Sequence, residues 1–275
     1  MKSSSIALFL LICRIAFPLP AGHQSSPGEL EDQIRREYCG IIEDPHNTIW
    51  QERLQAVETM GEPGRQALLS MLTSNESDRP CALEFLYSFR ENRSIPILRS
   101  IITNSEDDPN LRARAIDLLT EFQDVESLDS IIALAHSKEA ALFLSSINAL
   151  SRFDDDRARS TLRDLAAGEN LPPRWVGDVL YRIGEQRDVE AIPLLIELGQ
   201  RGDDTRRFEV SIALTKIDTF DSCIAAKETW DSILDPAWKV STAEAMIEYL
   251  ERQRAQTQDE AQRSDIDRLI AEIRQ

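Results

Sequence analysis

Two eight-residue stretches, AIDLLTEF at 115–122 and SINALSRF at 146–153, share one skeleton: a small residue, Ile, a polar residue, an apolar one, Leu, two polars and Phe. The anchors lie at relative positions 0, +2, +3 and +6, and the same pattern starts again at Leu54, Leu83, Gly177, Ser211 and Ala243. With Ile116 and Ile147, these starts are separated by 29, 33, 31, 30, 34 and 32 residues. At about 100° per residue the anchors fall in one arc, so each copy is predicted as an amphipathic helix. A second apolar helix lies between copies, marked by Ile95, Leu98, Ile101 and Ile102, by Leu128, Ile131 and Ile132, and by Ile192, Leu195 and Leu198. One helix–turn–helix unit cannot cover both of its apolar faces. The units must therefore stack, which excludes sheet-based folds and predicts an elongated solenoid.

The stretch AIPLLIELGQRGDDTRRFEVSIALTKI, 191–217, resembles a HEAT repeat, with Pro193 in the first helix and Asp203 and Arg207 opening the second. SIPILRSIITNSEDDPNLRARAIDLLTEF, 94–122, carries the same signature at Pro96, Asp108 and Arg112, and a shorter form recurs at Asp235, Pro236 and Lys239. The spacing suits an N-cap carboxylate, proline at the first helical position and a base one turn on. At the base position the remaining units read Trp50, Phe143 and Pro173. The resemblance covers roughly residues 45–252. It implies an all-α, right-handed α-α superhelix, a HEAT-like solenoid of about seven helical hairpins, and leaves activity open.

Residues 28–43, with Leu30, Ile34, Ile41 and Ile42 on one side, and a last helix carrying Ile266, Leu269, Ile270 and Ile273 are expected to cap the stack. The solenoid is thus assigned to 28–275, after a short leader at 23–27. Residues 1–22 begin with Lys2, run apolar and reach Ala21-Gly22, which resembles a secretory signal peptide interrupted by Arg14. A secreted or periplasmic location is expected, with no membrane span in the mature form. Once Cys13 leaves with that segment, Cys39, Cys81 and Cys223 are odd in number and lack CxxC spacing. They are expected to be buried free thiols, neither a disulfide framework nor a zinc site.

With 48 acidic against 31 basic residues the net charge is −17, which disfavours nucleic acid and anionic lipid as partners. The three histidines, His23, His46 and His136, share no metal-ligand spacing, and no nucleotide-binding or hydrolase motif occurs. No catalytic residue, metal or cofactor is assigned. The acidic runs 106–108, 154–156 and 203–204 sit where helices begin and are read as caps.

In the HEAT-like family the second helices line the concave side. The face opposite their anchors, offset +5, reads Thr59, Ser88, Glu121, Arg152, Arg182, Lys216 and Glu248. Three successive bases, with Trp175 at −2, Tyr181 at +4, and Asn148 and Asp178 at +1, have the composition of an interaction hot spot. The expected function is a non-catalytic scaffold that binds a protein or peptide, one with an acidic segment, on its concave face. The alternative is a HEAT-like enzyme or enzyme-associated factor, of lyase type, using concave-face carboxylates.

Overall fold

The computed structural model describes residues 26–39, 48–74, 78–168 and 171–275. The segment read as a signal peptide, most of the leader, His23, His46, Ile41 and Ile42 lie outside the described residues. Among those described, fifteen α-helices and three single 3-10 turns form the regular structure, and no strand occurs. After α1 (Pro27–Glu37), the second helices predicted from the repeat are α2 (Thr48–Thr59), α4 (Arg79–Phe89), α6 (Pro109–Glu121), α8 (Ala140–Leu150), α10 (Pro173–Glu185), α12 (Asp204–Ile217) and α14 (Pro236–Gln256). The first helices are α3 (Gly61–Thr73), α5 (Ile95–Thr103), α7 (Leu128–Leu134), α9 (Asp156–Ala167), α11 (Ile192–Arg201), α13 (Phe220–Asp231) and α15 (Glu260–Ile273). Each second helix packs on at least one neighbouring first helix and, from α4 onward, on the next second helix, so the stack has two layers.

Local chemistry explains the boundaries. Asp108, Asp203 and Asp235 cap α6, α12 and α14, accepting from the backbone N–H groups of Asn110, Arg206 and Ala237. The base one turn on has a second task. Arg112 donates to the Ile102 carbonyl and Lys239 to Asp231, each satisfying a free carbonyl at the end of the preceding helix, and Arg79, the first residue of α4, does the same at Leu72.

Three of the second helices, α4, α6 and α10, stop by one repeated device. Arg90, Gln123 and Arg187 take left-handed conformations with φ of 49°, 53° and 54°. The next N–H, from Glu91, Asp124 or Asp188, reaches back to the carbonyl of Leu86, Leu119 or Ile183, which is the Schellman arrangement. The acid so placed is buried and meets an arginine of the preceding first helix. Arg65 lies 3.6 Å from Glu91, Arg99 donates to Asp124 at 2.8 Å, and Arg163 lies 3.5 Å from Asp188.

This device corrects the register of one unit. The left-handed residue stands seven positions after Leu83, Ile116 and Ser211, at Arg90, Gln123 and Asp218. Seven positions before Arg187 is Leu180, not Gly177, so the fifth copy is displaced by three residues from the sequence-based alignment. The helix start agrees: Pro173 precedes Leu180 by the same seven residues that separate Pro109 from Ile116. The base position of this unit is therefore Val176, not Pro173. Arg182 and Gln186 occupy slots that are apolar in most units, and Gln186 instead donates to the Leu150 carbonyl of the neighbouring unit at 2.8 Å.

Two further expectations change. Cys39 and Cys81 form a disulfide, which ties the residue after α1 to α4. Only Cys223 of the described cysteines is a buried free thiol. The polar run RAQTQDEAQRS, 254–264, which the sequence places before the last helix, is mostly helical, since α14 runs to Gln256 and α15 starts at Glu260. The N-terminal cap helix is shorter than expected and ends at Glu37. Leu30 and Ile34 are buried at one end of the stack, and Ile266, Ile270 and Ile273 at the other.

Candidate functional site: the inner face of the second helices

With the fifth unit in register, the inner face, meaning the face of the second helices opposite their anchors, falls into rows. Offset +1, its centre, carries Gln55, Glu84, Asp117, Asn148, Tyr181, Ile212 and Glu244. Offset +5 carries Arg152, Glu185 and Lys216 in succession, so an acid interrupts the expected run of three bases. Arg182 lies off this row and pairs with Glu185 at 2.6 Å. Arg152 is also held by an acid, Glu121 at 2.6 Å. Lys216 differs from both. Its ammonium sits 4.2 Å from the centre of the Tyr181 ring, and among the described residues it makes no ion pair.

Tyr181 keeps 40% of its surface exposed, the guanidinium of Arg182 lies 5.4 Å from its ring, and half-buried Asn148 precedes it along the same row. Register therefore moves Tyr181 from the margin of the predicted patch to its middle. Close approach of α10 to α12 builds this arrangement. A Cβ at Gly184 would lie 2.8 Å from the Ala213 carbonyl oxygen and 2.9 Å from Lys216 Cβ, so only glycine lets Lys216 lean over Tyr181.

Trp175 does not belong to this face. It is 7% exposed and stacks on Phe143 of α8, with ring centres 4.4 Å apart and planes inclined by 15°. Its place as an exposed apolar anchor is corrected: the ring fills the seam between two units. With Leu165, Leu171, Pro172 and exposed His136 it also lines a cavity of about 570 Å³ at the turn edge of the stack. Asp178 is exposed and stands at −2, beside Glu209 of the next unit.

The carboxylates of the inner face are mostly engaged. Glu84 accepts two hydrogen bonds from Arg114 at 2.7 and 2.8 Å, and Arg206 holds Glu209 at 2.7 Å. Burial raises the Asp117 carboxyl above its ordinary range, against the pull of Arg114. Burial raises Glu209 as well, opposed by Arg206 and reinforced by Asp203 and Asp178. These two perturbed acids sit on α6 and α12, three second-helix spacings or roughly 30 Å apart, too far to serve one reacting centre. Among the described residues no group of three or more His, Cys, Asp or Glu side chains is placed to hold a metal. None of the described helices is long and apolar enough to cross a membrane. The acidic runs serve as expected: Asp108, Asp155 and Asp203 cap helices, Asp107 pairs with Arg79, and Asp204 accepts from the Leu234 and Asp235 N–H groups.

Residues 102–180, from the end of α5 through most of α10, match the family model for HEAT repeats. Over that segment the chain is similar to HEAT repeats. Solved HEAT-like structures resemble this HEAT-like solenoid at low identity. A chain from the complex of CpcE and CpcF of phycocyanin lyase from a Nostoc species is 15% identical, with a TM-score of 0.41, covering 76% of this chain and 94% of that one. Human deoxyhypusine hydroxylase, in complex with glycerol, is 14% identical with a TM-score of 0.33, covering 88% and 96% respectively. Scores this low say nothing about chemistry or ligands. No curated protein matches the chain.

Proposed function

We propose that this HEAT solenoid is a non-catalytic scaffold that binds a protein or peptide along the inner face, with an acidic group of the partner seated at Tyr181 and Lys216. The observation that carries the reading is Lys216: a cation on an aromatic ring, in the middle of the open face, without an acid of its own among the described residues. Tyrosine beside a base is the composition that concentrates binding energy at interfaces. Arg152 and Arg182, held by Glu121 and Glu185, supply weaker and more screened attraction. Separation of Asp117 from Glu209 supports the scaffold over a lyase-type enzyme. The Cys39–Cys81 disulfide supports a secreted or periplasmic location, because such bonds persist in oxidising compartments.

The test is capture of the partner from the native extract by wild-type protein, Lys216→Glu and Tyr181→Ala, with melting temperature as the control. Both substitutions should reduce capture at least tenfold, the loss of about 1.4 kcal/mol or more, while the fold persists. Undiminished capture by Lys216→Glu refutes the assignment of this face.

A further inference from the structure

At the other end of the inner face, a groove of about 450 Å³ opens between α2 and α4. Its floor is Leu54 and Phe89, both partly buried against the core. Its walls are Gln51, Glu52, Gln55 and Glu58 from α2 and Ser88 from α4. Glu52 and Glu58 are exposed and differ from most acids of this face. Glu84, Glu121, Glu185, Glu209 and Glu248 are each held by an arginine. Glu52 and Glu58 make no ion pair among the described residues. Asp178 and Glu244 lack one too, but neither lines a groove with an apolar floor. Arg65 of α3 lies over the Phe89 ring at 5.6 Å and faces Glu91.

Two carboxylates six residues apart on one helix stand about 9 Å apart along its axis. Between them lie the Gln55 amide, whose oxygen can accept a hydrogen bond, and an apolar floor. An arginine or lysine side chain fits this combination, its methylene stem on Leu54 and Phe89 and its charged head between the glutamates. We propose that this groove seats a basic residue of the partner segment whose acidic part meets Lys216. The direction of the partner rests on the function proposed above; the chemistry of the groove does not. From α2 to α10 there are four second-helix spacings, about 40 Å, which an extended chain spans in about 12 residues. The partner segment is therefore dipolar, with its basic end over α2 and its acidic end over α10 and α12.

The probe is a labelled hexapeptide of alternating lysine and leucine, titrated by fluorescence anisotropy at about 150 mM salt, where the general attraction of an acidic protein is screened beyond about 8 Å. It contains no acid, so its binding does not depend on Lys216. Glu52→Gln combined with Glu58→Gln should weaken binding about tenfold. Glu106→Gln combined with Glu139→Gln removes the same charge from exposed turn positions and should change it less than twofold. Equal losses in the two variants would mean that only net charge attracts the probe, and the groove would be overturned. Failure of the wild-type protein to bind would overturn it as well. Either result leaves the capture experiment at Tyr181 and Lys216 to stand or fall alone.

Discussion

Removing the Cys39–Cys81 bond, by Cys39→Ser with Cys81→Ser, should loosen one end of the solenoid and leave the other end unchanged. The bond closes a loop of 42 residues. Restricting a loop of that length in the unfolded chain removes about 13 cal/mol/K of entropy, or about 4 kcal/mol at room temperature. In a stack, each unit is stabilised by itself and its immediate neighbours, so the loss falls on α1 to α4. α1 packs on α3 through Leu30 and Ile34, and the disulfide fastens its far end. Opening of α1 should therefore become on the order of a thousandfold more frequent. Hydrogen exchange followed by mass spectrometry reads this directly, in peptides from α1 and α3 against peptides from α9 to α12. Cys223 does not confuse parallel thiol labelling, because burial pushes its thiol up to about 12. Equal exchange of α1 in the variant and the oxidised wild type would refute the reasoning. So would a native thiol count showing Cys39 and Cys81 free.

Trp175→Ala should act on stability before binding. It deletes a buried ring stacked on Phe143, at a cost of about 3–5 kcal/mol, and urea denaturation should show it; an unchanged midpoint would return Trp175 to the surface. Glu91 gives a pH signature. Its hydrogen bonds from Arg93 hold the carboxyl at about 2, below its ordinary value, so its stabilisation is complete above the unfolded carboxylate range and disappears as pH falls through about 2. With Arg93 half-exposed the contribution is on the order of 2 kcal/mol. Denaturation of wild type and Glu91→Gln should differ by a constant amount above pH 5 and converge toward pH 2, and a difference that persists unchanged to pH 2 would contradict the role of the ion pair.

The period of the repeat was legible because every unit buries one arc of its second helix, and burial writes apolar residues at helical spacing. Register within a unit was less secure. In the fifth copy Val179, Leu180 and Ile183 satisfy the pattern starting at Gly177 as well as the true residues satisfy it at Leu180. Positions three apart on a helix lie on the same side, so a slip of three keeps most apolar residues inward. What betrayed the slip was the stop signal, and Arg187 in a left-handed turn has no special letter in the sequence. The disulfide was illegible for a different cause: Cys39 and Cys81 meet only because α1 folds back on the stack. The charged patch was half legible. Lys216 and Tyr181 both stand in the patch read from the sequence, but their contact depends on Gly184, whose meaning appears only when α12 lies against it.

The repeated stop after most of the second helices also divides the molecule into a conservative edge and a permissive one. From the first anchor to the left-handed residue the count is seven in five of the units, and in three of them the following acid meets an arginine from the unit before. Inserting a residue anywhere in that stretch would turn the acid away from its arginine and the helix face away from the core. The other edge, where first helices hand over to second ones at 104–108, 135–139 and 202–203, carries no such count. Length can drift there without disturbing the stack. New loops, tags or whole modules would be accepted on that margin, so a lineage of such chains could diversify one rim while the inner face kept its geometry.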